Sequence, residues 1–195
     1  MCSFVSTAKP FQIVRAQKLP SRTTRLRVTS RSSQYKVGIL MGSPTDYKLM
    51  KPAEDVLKDF GIQTDTRVMS AHRQPQEVAQ FAATARNKGY FAIICGAGMA
   101  AHLAGAVSSR TTLPVVGVPL SGSALSGMDA LYATVQMPKG IPVATVAVDT
   151  SVNAGILVAQ MIGAKDFEMA EKIESMRMNT RVAFNETKLT DGGTE

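Results

Sequence analysis

Both histidines of the chain lie in segments that follow short apolar runs, among other polar or small residues. His72 lies in Ser70-Ala-His-Arg73, and His102 ends the stretch Gly96-Ala-Gly-Met-Ala-Ala-His102. An imidazole exchanges protons near neutral pH, and the forked guanidinium of Arg73 suits a phosphate or a carboxylate. The alternatives are a structural His72, a surface ion pair for Arg73, and a core His102 that caps its own helix. The pattern favours proton transfer beside an anionic ligand.

A third polar segment, Gly42-Ser-Pro-Thr-Asp46, also follows an apolar run and leads into a helical pattern. Backbone N–H groups at a helix start suit a phosphate, as do the hydroxyls of Ser43 and Thr45. The Asp46 carboxylate can accept hydrogen bonds from ribose hydroxyls. Helix capping by Thr45 or Asp46 is the alternative interpretation. The three segments together predict a site for a phosphorylated sugar.

Several other chemistries do not fit the sequence. The histidines, Cys95 and the acidic residues lack metal-ligand spacing, so we expect no metal. The stretch Gly96-x-Gly-x-x-Ala101 matches a dinucleotide fingerprint, but it follows the third predicted strand, and Val118 stands where the ribose-binding acid belongs. We therefore expect no nicotinamide cofactor. The sequence also lacks the Gly-x-Ser-x-Gly elbow of serine hydrolases and the phosphate loop of nucleoside triphosphatases.

The elements that position these segments alternate between apolar strands and amphipathic helices. Strands are predicted at 36–41, 63–69, 91–95, 114–118 and 143–148. Helices are predicted at 47–60, from Pro75 to Gly89, and at 151–163 and 166–188. The small-residue stretch Gly96–Gly105 is predicted to open another helix, and a further helix is predicted along the stripe Leu125, Met128, Leu131, Tyr132 and Val135. This alternation predicts an α/β three-layer sandwich with a parallel, flavodoxin-like sheet and extra C-terminal helices. Ligands bind at the carboxyl ends of the strands in such folds.

We expect one catalytic domain over residues 36–188 and a flexible tail over 189–195. The last helix carries Phe167, Met169, Ile173 and Met176 after the sheet is complete. This apolar set predicts packing against another subunit.

The net charge of +7 belongs to the start of the chain. Residues 1–36 hold eight basic residues, ten Ser or Thr residues and no acid, whereas the remainder has 22 − 8 = 14 basic residues against 15 acidic ones. This composition predicts a disordered transit peptide over 1–35, with the plastid favoured over the mitochondrion or cytoplasm. A basic arm that binds nucleic acid is the alternative. The sequence has no apolar run of roughly 20 residues, so no membrane span is expected.

Four motifs in order give the chain a family resemblance: Met41-Gly-Ser-Pro-Thr-Asp46, Ser70-Ala-His-Arg73, Gly96-Ala-Gly-Met-Ala-Ala-His-Leu103 and Val135-Gln-Met-Pro-Lys-Gly-Ile-Pro-Val-Ala-Thr145. Over residues 36–163 the chain resembles the catalytic subunit of phosphoribosylaminoimidazole carboxylase. More narrowly, it resembles the N5-carboxyaminoimidazole ribonucleotide mutase branch of de novo purine biosynthesis.

The resemblance implies a carboxyl shift that converts N5-carboxyaminoimidazole ribonucleotide to 4-carboxy-5-aminoimidazole ribonucleotide without metal, biotin, ATP or nicotinamide. It also implies a homo-octamer, and association with an ATP-dependent carboxyaminoimidazole synthetase. At matching positions His72 is the catalytic proton shuttle. The substrate-binding positions implied in the same way are Ser43, Thr45, Asp46, Ser70, Arg73, Gly96, Ala97, Gly98, Ala101, His102 and Leu103.

The chain departs from the family pattern at three positions: Thr45 replaces the usual serine, Met99 a glycine and Ala104 a proline. The Ala-Ala-His-Leu stretch favours the mutase over the branch that carboxylates the aminoimidazole ribonucleotide directly with CO2. A non-catalytic, flavodoxin-like nucleotide-binding module is the remaining alternative.

Overall fold

The computed structural model describes residues 34–186. The strands are β1 (Lys36–Met41), β2 (Gln63–Val68), β3 (Tyr90–Gly98), β4 (Val115–Leu120) and β5 (Ala144–Thr145). The helices are α1 (Tyr47–Asp59), α2 (Pro75–Ala85), α3 (Leu103–Ser108), α4 (Met128–Val135), α5 (Ser151–Gly163) and α6 (Phe167–Glu186), with 3₁₀ turns at Pro44–Asp46 and Arg86–Lys88. The predicted tail, and the predicted transit segment except its last two residues, lie outside the described residues.

The five strands form one parallel sheet in the order β2-β1-β3-β4-β5. Strand side chains alternate between its two faces, because successive residues of a strand point in opposite directions. Ile39 and Ile94 pack with α1, α5 and α6, whereas Leu40 and Ile93 pack with α2 and α3. The predicted three-layer, flavodoxin-like sandwich is confirmed. Its topological switch point lies between β1 and β3.

The inner faces of α1 and α2 follow the apolar spacing of the sequence. Met50, Ala53 and Leu57 of α1 are buried against one face of the sheet. On the other face, α2 buries Val78, Phe81, Ala82 and Ala85. Regular apolar spacing therefore orients both helices on the sheet.

Strand β3 is longer than predicted, running to Gly98 instead of ending at residue 95. Its glycine-rich end belongs to the sheet and does not open the next helix, which begins at Leu103. A Cβ at Gly96 would lie 2.3 Å from Sδ of the buried Met50. A side chain at position 96 would therefore displace Met50, so a glycine here lets α1 pack closely on the sheet.

Strand β5 is shorter than the predicted 143–148, and pairs with β4 only through Ala144 and Thr145. The carbonyl of Pro119 in β4 still accepts a hydrogen bond from the Asp149 N–H, at 2.9 Å. Pro119 has no N–H to donate in return, so the regular ladder cannot continue along this edge.

The predicted apolar stripe of α4 is on the outside of the subunit. Ala130 and Thr134 face the sheet instead, and a Cβ at Gly117 of β4 would lie 2.3 Å from Cγ2 of Thr134. Small residues thus let α4 approach β4 closely, and the larger apolar side chains remain exposed. These exposed residues are Leu125, Met128, Tyr132 and Val135.

Helix α6 packs on its own subunit, which corrects part of the prediction for the last helix. Met169 and Ile173 are buried in the core formed with α1 and α5. Asp166 holds the start of α6 in place, because it accepts hydrogen bonds from the Tyr35 hydroxyl at 3.0 Å and from the Met169 N–H at 3.2 Å. Phe167 is 88% exposed. No helix within residues 34–186 has the length and apolar character to cross a bilayer.

Candidate active site

A cavity of about 390 Å³ opens at the carboxyl ends of the strands, beside the switch point between β1 and β3. Loops that follow β1, β2 and β3 form most of its wall, so the predicted convergence of the three polar segments is present. The predicted site residues that line it are Ser43, Thr45, Asp46, Ser70, His72, Arg73, Ala97, Gly98, His102 and Leu103.

Two predicted site residues, Gly96 and Ala101, do not line the cavity. Gly96 is covered by Met50, and Ala101 is buried as an anchor of the loop between β3 and α3. Several lining residues were not among the predicted site residues. They are Gly42, Leu49, Ala71, Met99, Ala100, Leu120 and Gly122. Leu120 and Gly122 could have been found from the order of the strands, since β4 lies beside β3 and Leu120 at its end pairs with Gly98.

The loop after β1 uses its backbone N–H groups internally, which corrects the prediction that they are free for a phosphate. The Ser43 N–H donates to Asp46 Oδ2 at 3.0 Å, and the Thr45 N–H donates to Ser43 Oγ at 3.3 Å. The Asp46 N–H donates to the Ser43 carbonyl, and Pro44 has no N–H. The loop can therefore offer a ligand its hydroxyl groups and its carboxylate, but not an amide cradle.

Asp46 combines two roles, since it caps this turn and also lines the cavity. Burial raises the pKa of Asp46 above its ordinary value, although hydrogen bonds from the Ser43 N–H and the Thr45 side chain act in the opposite direction. None of the described cations forms an ion pair with Asp46. A half-buried carboxylate without a cation is well suited to accept hydrogen bonds from ligand hydroxyls.

The loop after β2 is held by Ser70, whose carbonyl accepts from the Gln74 N–H at 2.8 Å and whose hydroxyl accepts from the Arg73 N–H at 3.4 Å. Arg73 itself lines the cavity. Among residues 34–186, no carboxylate forms an ion pair with it. This arrangement leaves Arg73 available for an anionic ligand and argues against a simple surface ion pair.

The two histidines meet inside the cavity. His72 Nε2 lies 2.9 Å from His102 Nδ1, and the two rings are nearly perpendicular with centroids 5.0 Å apart. His102 stands at the N-terminus of α3, but its side chain makes no capping hydrogen bond there. Its ring instead orients the ring of His72, because a hydrogen bond between two imidazoles restricts both.

The described part of the chain contains no group of three His, Cys, Asp or Glu side chains arranged to hold a metal ion. Cys95 is buried in β3, and burial raises the pKa of its thiol. Its position is that of a small core residue.

A family model described as AIR carboxylase matches residues 36–182. The chain belongs to the AIR carboxylase family. It is 49% identical over 144 residues to an N5-carboxyaminoimidazole ribonucleotide mutase of Vibrio vulnificus. The aligned residues cover 73% of this chain and 89% of the relative. A mutase of the same name from Bacillus subtilis is 48% identical over 147 residues, with 74% and 91% of the two chains covered.

Two further comparisons extend the family. A phosphoribosylaminoimidazole carboxylase of Saccharomyces cerevisiae is 45% identical over 161 residues, which are 82% of this chain but only 28% of the yeast protein. A crystal structure of Treponema denticola PurE superposes with a TM-score of 0.69 at 27% identity, covering 80% of this chain and 99% of that one. The chain therefore shares both sequence and fold with known family members.

Proposed function

We propose that this protein is the mutase of de novo purine biosynthesis, which converts N5-carboxyaminoimidazole ribonucleotide to 4-carboxy-5-aminoimidazole ribonucleotide. One observation carries the proposal: His72, Asp46 and Arg73, from loops after two different strands, line the same cavity. Two bacterial mutases, 49% and 48% identical to this chain and matched over 89% and 91% of their own lengths, support the same reaction.

The groups around the cavity suit the parts of such a substrate. The guanidinium of Arg73 has no ion-pair partner within residues 34–186 and is suited to the phosphate, as are the hydroxyls of Ser43 and Thr45. Asp46 is suited to the ribose hydroxyls. The imidazole then lies between the histidine pair and residues 97–100, at the end of β3 and in the loop after it. The substrate is a small anionic molecule, in agreement with these polar walls.

The reaction can run on one proton held by His72. When the carbamate C–N bond breaks, its electron pair stays on nitrogen, CO2 is released and His72 gives a proton to that nitrogen. Ring carbon C4 then attacks CO2 and forms the new C–C bond. His72 recovers the extra proton from C4, so no proton is gained or lost. The cavity keeps both fragments at high effective concentration, and no further activation is needed.

The proposal is tested by offering the full-length protein two substrate sets at low bicarbonate. One contains the carbamate, and the other contains the uncarboxylated ribonucleotide with bicarbonate. Formation of the carboxylated imidazole is followed by its ultraviolet absorbance. The mutase reaction requires product from the carbamate alone. Product only from the second set would identify a direct carboxylase, the activity named for the yeast relative. Binding without product in either set would identify a non-catalytic nucleotide-binding module.

We also propose that the active form is a homo-octamer. The exposed apolar residues of α4 and the segment before it, spaced by three to four residues from Leu125 to Val135, support contact with further copies of this chain. Tyr132 is 58% exposed, and Tyr132→Glu is expected to lower the oligomer mass measured by light scattering. An unchanged mass would place the subunit contacts elsewhere.

The remaining proposals concern the partner and the location of the protein. We propose association with an ATP-dependent carboxyaminoimidazole synthetase, in keeping with the much greater length of the yeast relative. Co-purification of the two proteins tests this association. We propose targeting to the plastid by residues 1–35, because their composition is rich in Arg, Ser and Thr and free of acid. A fluorescent protein carrying this segment is expected in plastids, and fluorescence in mitochondria or the cytoplasm would overturn this targeting.

A further inference from the structure

The end of β4 forms a wall of the cavity that carries none of the predicted site residues. Leu120 is the last residue of β4, Gly122 lies two residues beyond it, and both line the cavity. Leu120 pairs with Gly98, the last residue of β3, so Gly122 lies just past the end of the β3–β4 ladder. A Cβ at Gly98 would lie 3.8 Å from the Gly122 nitrogen. The backbone of Gly122 is therefore close to the end of β3 that borders the cavity.

The Gly122 N–H points away from β5 and toward β3. Backbone groups of successive strand residues face opposite edges of the strand. On the β5 edge, the Pro119 carbonyl accepts from the Asp149 N–H at 2.9 Å, and the Ser121 N–H donates to Asp149 Oδ1 at 2.9 Å. The N–H of Gly122, one residue further, therefore faces the edge where β3 has ended and the cavity begins. Between residues 34 and 186, no oxygen atom accepts a hydrogen bond from it.

This N–H supplies the kind of donor that the loop after β1 lacks, because the amides of that loop are used internally. The space beside Gly122 is open, since a Cβ there would meet no atom within 4 Å. In the proposed placement of the substrate, the imidazole lies against residues 97–100, next to Gly98. A donor at Gly122 therefore meets the imidazole end of the ligand, and an amide that a ligand covers needs an acceptor.

Asp149 fixes the direction of this donor from behind the wall. It does not line the cavity itself. Its φ of 57° lies in the left-handed region, which Asp and Asn enter more readily than most residues with a Cβ. In this conformation its N–H holds the Pro119 carbonyl and its carboxylate holds the Ser121 N–H. One residue thus restrains the two peptide groups that precede the Gly122 N–H on β4.

We propose that the Gly122 N–H donates a hydrogen bond to the imidazole end of the bound ribonucleotide, and that Asp149 is the positioning residue that directs this N–H into the cavity. The acceptor is either the ring nitrogen that carries no hydrogen or an oxygen of the carboxylate. The identity of the ligand rests on the proposed function. The site then has a fourth wall, beyond the three polar loops, that takes part in binding.

The first test removes the Gly122 N–H without adding an atom. In the full-length protein, the peptide bond between Ser121 and Gly122 is replaced by an ester. Calorimetric titration with the carboxylated product ribonucleotide is expected to show roughly 3- to 10-fold weaker binding, the usual effect of one lost hydrogen bond.

The matched control is an ester between Gly122 and Ser123. The Ser123 N–H donates to the Ser121 carbonyl at 2.8 Å, and the first ester also weakens this carbonyl as an acceptor. The control removes the same turn hydrogen bond but keeps the Gly122 N–H. Ser123 does not line the cavity, so the control should bind the product as the wild type does. Equal affinities of the two esters would overturn the contact.

A second ligand identifies the acceptor. The uncarboxylated aminoimidazole ribonucleotide retains the ring nitrogen but has no carboxylate. If the Gly122 ester binds both ribonucleotides more weakly by the same factor, the ring nitrogen is the acceptor. If only the carboxylated ribonucleotide binds more weakly, the carboxylate is the acceptor.

The role of Asp149 is tested by a pair of substitutions. Asp149→Gly adopts the left-handed backbone without strain but removes the acceptor of the Ser121 N–H. We expect its KM for the carbamate to rise roughly threefold with little change in kcat, because His72 is unaffected. Asp149→Asn keeps an oxygen for the Ser121 N–H and tolerates the same backbone, so it should recover the wild-type KM. Thermal unfolding of both variants measures their folding separately.

A purely structural role for Asp149 would lower the melting temperature of the Gly variant and leave its KM unchanged. That result, or an equal rise of KM in the Asn variant, would overturn the positioning role. Failure of the wild-type protein to convert the carbamate would instead overturn the proposed function, and the titrations would still test the Gly122 contact.

Discussion

Two half-buried aspartates lie in opposite electrostatic surroundings. At the cavity, burial raises the pKa of Asp46, which has no ion-pair partner among the described cations. In β2, hydrogen bonds from Arg67 hold the pKa of Asp65 below its ordinary value against the effect of burial, with a further contribution from the Tyr90 hydroxyl. Lys36 lies over the Tyr90 ring at 4.2 Å and adds a second positive charge to this group.

The difference separates groups that serve a ligand from groups that serve the fold. The groups that serve the fold, which we call the Asp65 cluster, are Lys36, Asp65, Arg67 and Tyr90. In this cluster the two basic side chains and the Tyr90 hydroxyl stabilise the charge of the Asp65 carboxylate. Around the cavity, by contrast, the Asp46 carboxylate and the Arg73 guanidinium have no ion-pair partners within residues 34–186. Substitutions at the cavity should therefore reduce activity more than stability, and substitutions in the Asp65 cluster should do the reverse.

The largest expected effect is on turnover by His72→Asn. We expect kcat to fall by on the order of 10²–10⁴, because the proton shuttle is lost while the anion-binding groups remain. Steady-state kinetics with the carbamate measure this loss, and calorimetric titration with the product ribonucleotide measures binding. Tyr90→Phe in the Asp65 cluster is the control and should retain wild-type kcat. Normal turnover by the Asn variant would remove His72 from the mechanism.

The next effect is on substrate affinity. Arg73→Ala is expected to raise KM by roughly 10- to 100-fold, the usual consequence of losing a hydrogen-bonded charge partner. Arg73→Lys should recover only part of this loss, because an ammonium lacks the planar fork. Arg67→Ala is the comparison at the Asp65 cluster, and there KM should not change. Equal KM values for the two alanine variants would contradict the division between the regions.

Asp46→Asn should lower activity while raising stability. The amide oxygen of the variant can still accept from the Ser43 N–H, and the substitution removes a half-buried negative charge. The free energy of unfolding is therefore expected to rise by less than about 1 kcal/mol at neutral pH. Because the folded pKa is raised, wild-type stability falls relative to the variant as pH rises from about 4 through that pKa. The affinity of the variant for the ribonucleotide should fall. Denaturant unfolding at several pH values measures the stability, and binding titrations measure the affinity. Reduced stability of the variant at neutral pH would show that the Asp46 charge does not destabilise the fold.

The last effect expected is on stability alone: the Asp65→Asn variant should be less stable by up to about 1 kcal/mol and otherwise fully active. The folded pKa of Asp65 is lowered, so its contribution to stability is present above about pH 4 and is lost as pH falls through the folded pKa. A fall in melting temperature of about 2–4 °C at neutral pH is expected from thermal unfolding. Unchanged melting with impaired turnover would reverse the roles of the two aspartates.

The sheet and the location of the site could be predicted because both depend on local pattern. Apolar runs fixed β1 and β4 within two residues, and parallel strands bring their carboxyl ends to one edge. Elements that depend on tertiary contacts were less predictable. The end of β5 depends on the missing N–H of Pro119, and the orientation of α4 depends on the close approach of Thr134 to Gly117.

Within the site, residue types were easier to predict than their hydrogen bonds. Spacing placed Ser43 and Asp46 in the first loop, but it could not show that their side chains accept the loop's own N–H groups. Both histidines were assigned to strand ends, yet the 2.9 Å contact between their rings requires the relative positions of two loops. Such contacts arise from segments distant in sequence and leave no periodic signal.

A crystal structure of the full-length protein with the product ribonucleotide tests the shared cavity most directly. One bound molecule should place its phosphate near Arg73 and Ser43, its ribose hydroxyls against Asp46 and its imidazole beside His72. A ligand that occupies another surface, or that contacts only one of these loops, would contradict a single carboxyl-transfer site.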